Sequence, residues 1–187
     1  VELDARAIAA VNAIDPMITI ATVPPWQQMD PGGMVATVKI IAYGVPRAAL
    51  EAACAAARKA IRLRSAVLAS AQLIQTVVPG DDGTKGHRHI HARLDRLGVR
   101  SADKVIVAHE VEALAHAIKA CDRALILILT ASATSDPADV APMALRHAGG
   151  TVTHFGMPVD PGNLLFLGEL KGRPVIGLPG CARSPAL

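Results

Sequence analysis

The chain has 187 residues, 51% of them hydrophobic and 2% aromatic, with a formal net charge of +3. A chain of this length typically buries about 70% of its unfolded surface, and no apolar run approaches the roughly 18–20 residues that cross a bilayer, so it reads as soluble, with no membrane partner. The small positive charge favours anionic ligands in a general way, and the lack of a basic run interleaved with aromatics argues against nucleic acid.

Residues 1–14 place Leu3, Ala7, Ala10, Val11 and Ile14 on one helical stripe, and Asp15-Pro16 ends it, because the residue before proline is pushed out of the α region. Segments 17–23 and 34–43 are rich in Val, Ile and Thr and flank Pro24-Pro25 and Pro31-Gly32-Gly33, which predicts two strands joined by a loop. The alanine-rich stretch 46–61 predicts a helix. Residues 1–65 therefore form a small α+β unit, in which Trp26 is expected to be a packing residue.

From residue 66 the pattern changes to strand alternating with helix, the signature of a mostly parallel sheet with helices on both faces. Strands are predicted at 72–78, 105–108, 124–129 and 151–155, and helices at 85–97, 110–120 and 137–148. In the first of these helices Ile90, Leu94 and Leu97 fall on one face, and Gly98 stands where a C-terminal cap belongs. Segments 164–170 and 174–178 flank Lys171-Gly172-Arg173 as a hairpin. The fold class is thus a three-layer α/β domain over 66–187, preceded by the small unit. Cys54, Cys121 and Cys181 make neither a C-x-x-C pair nor an even set, which suits a reducing cytoplasm. No secretory signal is visible, and the lack of an initiator Met suggests a piece of a longer protein.

In open parallel sheets, ligands bind beyond the carboxyl ends of the strands, where loops feed helix N-termini. Three loops occupy such places. In the first, Pro79-Gly80-Asp81-Asp82-Gly83-Thr84, Thr84 is placed to cap a helix or to bind a phosphate oxygen, and Asp81 or Asp82 to hold a metal, or the whole is a plain turn. The second, from Thr130 to Asp139, offers Ser132 and Thr134; Asp136 before Pro137 is expected to be the N-cap of the next helix, and Asp139 either faces the loop mouth or complements the helix dipole. The third is Leu178-Pro179-Gly180-Cys181-Ala182-Arg183-Ser184, where Arg183 is a candidate anion partner or a solvated arginine.

Met157-Pro158-Val159-Asp160-Pro161-Gly162-Asn163 and then Leu178-Pro179-Gly180-Cys181, preceded by Gly149-Gly150 and a strand, resemble the molybdopterin-binding (MoaB/Mog-like) domain shared by molybdopterin adenylyltransferases and molybdenumtransferases. The order and spacing match over residues 72–186. More closely, segments 34–41, 154–165 and 178–185 resemble the N-terminal half of bacterial proteins in which this domain precedes a nucleotidyltransferase-like or glycosyltransferase-like domain. Ala131 and Ser132 stand where that family has two glycines, Thr134 where it has serine, Asp136 where it has a later glycine, Asn163 where it has lysine and Cys181 where it has asparagine. These side chains crowd a phosphate bound against the backbone, and the lost lysine removes a cation.

The resemblance implies a role in molybdenum-cofactor biosynthesis, with molybdopterin as ligand or substrate and Mg²⁺ and ATP as further ligands. It implies a pterin phosphate held by Gly80, Thr84, Ser132, Thr134, Asp136, Pro161, Gly162, Asn163, Gly180 and Arg183. Asp139 and Asp81 would be catalytic, and Asp139 and Asp82 would be metal ligands. It also implies homo-oligomers, a downstream nucleotidyltransferase-like partner domain, and a further helix after the Leu-Pro-Gly loop, so that the domain is expected to be truncated at Leu187. Whether the domain catalyses nucleotidyl transfer or metal insertion, or only holds the pterin, stays open, as does a pyridine-nucleotide hydrolase of the same fold. His87 and His91 share a helix face, but no H-E-x-x-H pattern or neighbouring cysteine makes them a metal site. His109, His116, His147 and His154 are scattered and read as solvated or hydrogen-bonded.

Overall fold

The computed structural model describes residues 1–84 and 86–185. The chain divides into two compact units, Val1–Ser65 and Ala66–Leu187.

The first unit runs β1 (Glu2–Leu3), α1 (Ala5–Ile14), β2 (Ile18–Thr22), β3 (Ala36–Ile40), α2 (Arg47–Ala56) and β4 (Ile61–Arg62). The opening helix starts later than its apolar stripe suggests. The Asp4 carboxylate caps it, accepting from the Arg6 and Ala7 amides at 3.0 Å each, so Leu3 lies outside the helix and pairs with Ile61 across β1 and β4. Likewise α2 stops at Ala56, and Lys59, at φ 63°, turns the chain into β4. β2 and β3 are antiparallel, and the Asn12 side chain serves the backbone of Ile20, accepting from its N–H at 2.8 Å and donating to its carbonyl at 3.0 Å. The core gathers Val11, Ile18, Ile20 and Ala53. Trp26 is not part of it, being 72% exposed at φ 65°.

The second unit is a mixed α/β domain built on β5 (Ser70–Val77), α3 (His87–Arg96), β6 (Arg100–Ser101), β7 (Val105–Ala108), α4 (Val111–Ala120), β8 (Leu125–Leu129), α5 (Val140–His147), β9 (Thr151–Phe155), β10 (Phe166–Leu170) and β11 (Arg173–Leu178), closed by a 3₁₀ turn at Gly180–Arg183. The sheet order is β6-β5-β8-β11-β10-β9, with β7 also pairing β5. β5 runs parallel to β6, β7 and β8, β8 parallel to β11, and β10 antiparallel to both its neighbours. The sequence-based reading of a mostly parallel sheet holds. The hairpin turn is Lys171-Gly172, at φ 52° and 76°, and Arg173 already belongs to β11.

β8 reads Leu-Ile-Leu-Ile-Leu and is buried throughout, as a central strand covered on both faces requires. Ile126 and Ile128 join Leu114, Ile118, Leu145 and Phe166 under α4 and α5. Leu125, Leu127 and Leu129 join Ile90 and Leu94 under α3. Gly168 and Gly177 make room on the α5 side: a Cβ on Gly177 would lie 1.9 Å from the Phe166 ring, and one on Gly168 2.4 Å from Leu145. Helix α3 ends as its glycine predicts. Gly98 takes φ 70°, its N–H bonds Asp95 O at 2.9 Å, and Val99 N–H reaches Leu94 O at 2.9 Å. Its expected start at Lys85 lies outside the described residues, as do the last position of the 72–186 resemblance, Ala186, and the chain end at Leu187. Leu97 departs from the expected buried face, being 49% exposed.

Candidate functional site

Because β5, β7, β8, β9 and β11 all point the same way, the loops after them share one rim of the sheet. Along that rim the strand order sets the loop order: His109-Glu110 after β7, then 78–84 after β5, 130–139 after β8 and 179–184 after β11.

The loop after β8 is held from within. The Thr130 and Thr134 side chains are buried and lie 3.3 Å apart, and Thr130 donates to the Ser132 carbonyl at 2.6 Å. Thr134 thus faces the loop interior. The expected helix start at Pro137 is displaced: α5 begins at Val140, with Asp139 in the N-cap position. The Asp139 carboxylate turns back onto its own loop, accepting from the amides of Ser135 at 2.7 Å and Asp136 at 3.0 Å. Asp136, expected to cap the helix, accepts from Ala138 N–H at 2.7 Å. The Asp139 side chain makes no cap bond to the helix itself; it braces the upstream turn that contains Asp136-Pro137, which leaves Pro137 outside the helix.

The loop after β5 behaves similarly. Asp81 accepts from Gly83 N–H at 2.9 Å, while Asp82 accepts from both the amide and the hydroxyl of Thr84, at 2.9 and 2.8 Å. Thr84 does not cap α3; that position belongs to Gly86, at φ 91°. Gly86 leaves the space that the Arg183 side chain fills, since a Cβ there would lie 2.5 Å from Arg183 Cγ. Arg183 then donates through Nη2 to the Thr130 carbonyl at 2.8 Å, tying the last loop to the start of the one after β8. Its Nε is buried without a hydrogen-bond partner, so the guanidinium is not a free solvated group.

Three other candidate residues line two hollows. Gly80 and Asp81 line one of about 420 Å³ together with Val77, His109 and Glu110. Gly162 lines another, an apolar groove of about 380 Å³ shared with Leu97, Ile176, Leu178 and Cys181. Asn163 and Pro161 are exposed in the loop between β9 and β10, where Asn163 O accepts from Met157 N–H at 2.9 Å, and Gly180 opens the closing 3₁₀ turn.

One cluster was not anticipated. Thr76, fully buried near the end of β5, lies 2.8 Å from His109 Nδ1, and His109 Nε2 lies 2.9 Å from Ser132 Oγ. The Ala131 N–H donates to the same Thr76 hydroxyl at 2.9 Å. Three rim segments are thereby stitched together, with exposed Ser132 at the outer end. His109 looked unremarkable in the sequence because its partners are 33 and 23 residues away. The available signal was position: it directly follows a strand whose loop to the next helix is two residues long.

Comparison with known proteins adds little to this geometry. No family model matches the chain, and no curated protein matches it. Among solved structures it is similar to the molybdopterin biosynthesis moea protein from Pyrococcus horikosii, with 18% identity and a TM-score of 0.48, over 86% of this chain and 46% of that one. This chain thus spans about half the length of that protein. At that level of similarity the likeness assigns neither a family nor a ligand.

Two shifted groups lie on the α3 flank. His91 lies beside His87, ring centroids 5.8 Å apart, and its Nδ1 is 3.1 Å from Ser101 Oγ. Burial first, and then the neighbouring His87, hold its pKa below the ordinary histidine range. Lys104 donates to Gly83 O and lies 3.2 Å from His87 Nδ1; burial lowers its pKa, while Asp82 and Asp81 act in the opposite sense. Among the described residues no three His, Cys, Asp or Glu side chains are gathered as a metal centre. One oxygen of Asp139 and one of Asp82 accept hydrogen bonds from their own loops. No helix among the described residues is long and apolar enough to cross a membrane.

Proposed function

We propose that the second unit is a molybdopterin-binding domain of molybdenum-cofactor biosynthesis, holding the pterin phosphate at the rim between the loops after β5, β8 and β11. The observation that carries this reading is the loop after β8. Its buried threonines and its aspartates are engaged within the loop, and the exposed Ser132 hydroxyl, 2.9 Å from His109 Nε2, stands at the rim on the loop that lies between those carrying Gly80 and Arg183. Hydroxyl and backbone donors beside a guanidinium suit an oxyanion. The Pro161-Gly162 and Leu178-Pro179-Gly180 segments support the pterin in particular, through the resemblance they carry.

Holding the pterin is favoured over transforming it. Nucleotidyl transfer asks a protein to position two anions in line and neutralise their charge, commonly through Mg²⁺, and the carboxylates best placed for that are engaged in loop structure. On this reading the domain serves a nucleotidyltransferase-like partner, works as a homo-oligomer in the cytoplasm, and uses Asp139 as a loop brace.

Mixing the protein with molybdopterin, ATP and Mg²⁺ tests this. The expected outcome is saturable pterin binding without adenylylation. Formation of adenylylated pterin that disappears in Asp139→Ala would instead make the domain an enzyme. Turnover of a nicotinamide nucleotide with no pterin binding would replace the reading with the hydrolase.

A further inference from the structure

The Thr76, His109 and Ser132 side chains make a polar chain from the interior of the sheet to its rim. Its direction is set by counting donors. Thr76 Oγ1 already accepts from the Ala131 N–H, and its own proton has no acceptor among the described residues other than His109 Nδ1. A fully buried hydroxyl proton left unpaired is costly, about 1–3 kcal/mol, so the hydroxyl should donate to the ring. A neutral imidazole that accepts at Nδ1 carries its proton on Nε2. That proton faces Ser132 Oγ at 2.9 Å, and a serine oxygen that accepts there is free to turn its own hydrogen outward.

We infer that His109 is a positioning residue, which holds Ser132 as a hydrogen-bond donor aimed at an oxyanion on the rim. The same polarity rules out activation of Ser132 as a nucleophile, because the ring nitrogen beside it bears a proton and has no lone pair to receive another. Charge indicates on which side the anion lies. Asp81 and Glu110 line the hollow at His109, placing negative charge on the β7 side, whereas Arg183 bonds the Thr130 carbonyl on the β11 side. The oxyanion therefore belongs between Ser132 and Arg183. This inference rests on the pterin reading only for the identity of the anion; the polarity of the chain stands without it.

Two measurements on the full chain decide it. Nitrogen-detected NMR of ¹⁵N-histidine-labelled protein reports the tautomer of each ring, and His109 is expected to be protonated on Nε2, a state lost in Thr76→Val and kept in Ser132→Ala. Molybdopterin titration provides the second readout. Ser132→Ala and His109→Leu are each expected to weaken binding about tenfold, the scale of one hydrogen bond to a charged group. The double variant should be no weaker than Ser132→Ala, because one residue acts through the other. His109→Gln, which returns an amide donor, should recover most of the loss. A proton on Nδ1, additive losses in the double variant, or covalent labelling of Ser132 by a fluorophosphonate would overturn the inference. If wild-type protein bound no molybdopterin, the pterin reading would fail, and the tautomer pattern alone would still decide the role of His109.

Discussion

Under α4 and α5, Ile126 and Ile128 of β8 are fully buried with Phe166 and Leu145, and glycines on β10 and β11 let the layers approach closely; under α3, their neighbour Leu127 borders an apolar groove where Ile176 and Leu178 stay half-buried. One strand thus serves a tightly filled layer and a loosely covered one by simple alternation. The difference teaches where the domain's stability is concentrated. It also shows that the rim loops are anchored to both layers: α4 and α5 follow the loops that carry His109 and Ser132, and α3 adjoins Arg183.

Substitutions can break this comparison. The largest expected loss is Phe166→Ala, about 3–5 kcal/mol, measured by urea or guanidinium unfolding. Adjacent positions give the sharper test. Ile128→Ala should cost about 4 kcal/mol and Leu127→Ala about 2 kcal/mol, because the second site is already partly open; equal losses would mean that both layers are equally well filled. Gly177→Ala drives a methyl into the Phe166 ring and should cost about 1–3 kcal/mol, whereas Gly180→Ala, with nothing within 4 Å of the added atom, should be close to neutral. Asp139→Ala removes a brace from two loop amides and should cost about 1 kcal/mol.

The smallest effect is one of pH, on the α3 side. His91 resists protonation in the folded chain, whereas the unfolded chain takes up a proton near the ordinary value of about 6.5. Its contribution to stability is therefore complete above that value and declines as pH falls toward the lowered folded pKa. Unfolding titrations at about pH 7.5 and about pH 5.5 should show wild type losing stability on acidification, and His91→Asn losing less.

Most of the second unit could be read from the chain because its signals are local. A five-residue Leu/Ile run, a Lys-Gly turn and a glycine after an amphipathic helix each act over a few residues. The strands β1, β4 and β6 escaped notice because two residues show no period, and their pairing is decided by distant partners. The start of α5 was misplaced because Asp136-Pro137 is a sound helix start on its own; only the folded loop gives Asp139 its two amides. The candidate site was legible as a set of loops and illegible as a set of contacts. Thr76 reads as an ordinary strand threonine, and His109 as one of several scattered histidines, until the parallel register sets β5 between β7 and β8.

The Arg93 guanidinium has a mechanical consequence. From the body of α3 it grips two carbonyls of the closing segment, Ala182 at 2.7 Å and Ser184 at 2.6 Å, while Arg183 between them holds Thr130. Helix, terminal turn and the start of the hydroxyl-rich loop are thus riveted by three guanidinium-to-carbonyl bonds, two of which depend on the single side chain of Arg93.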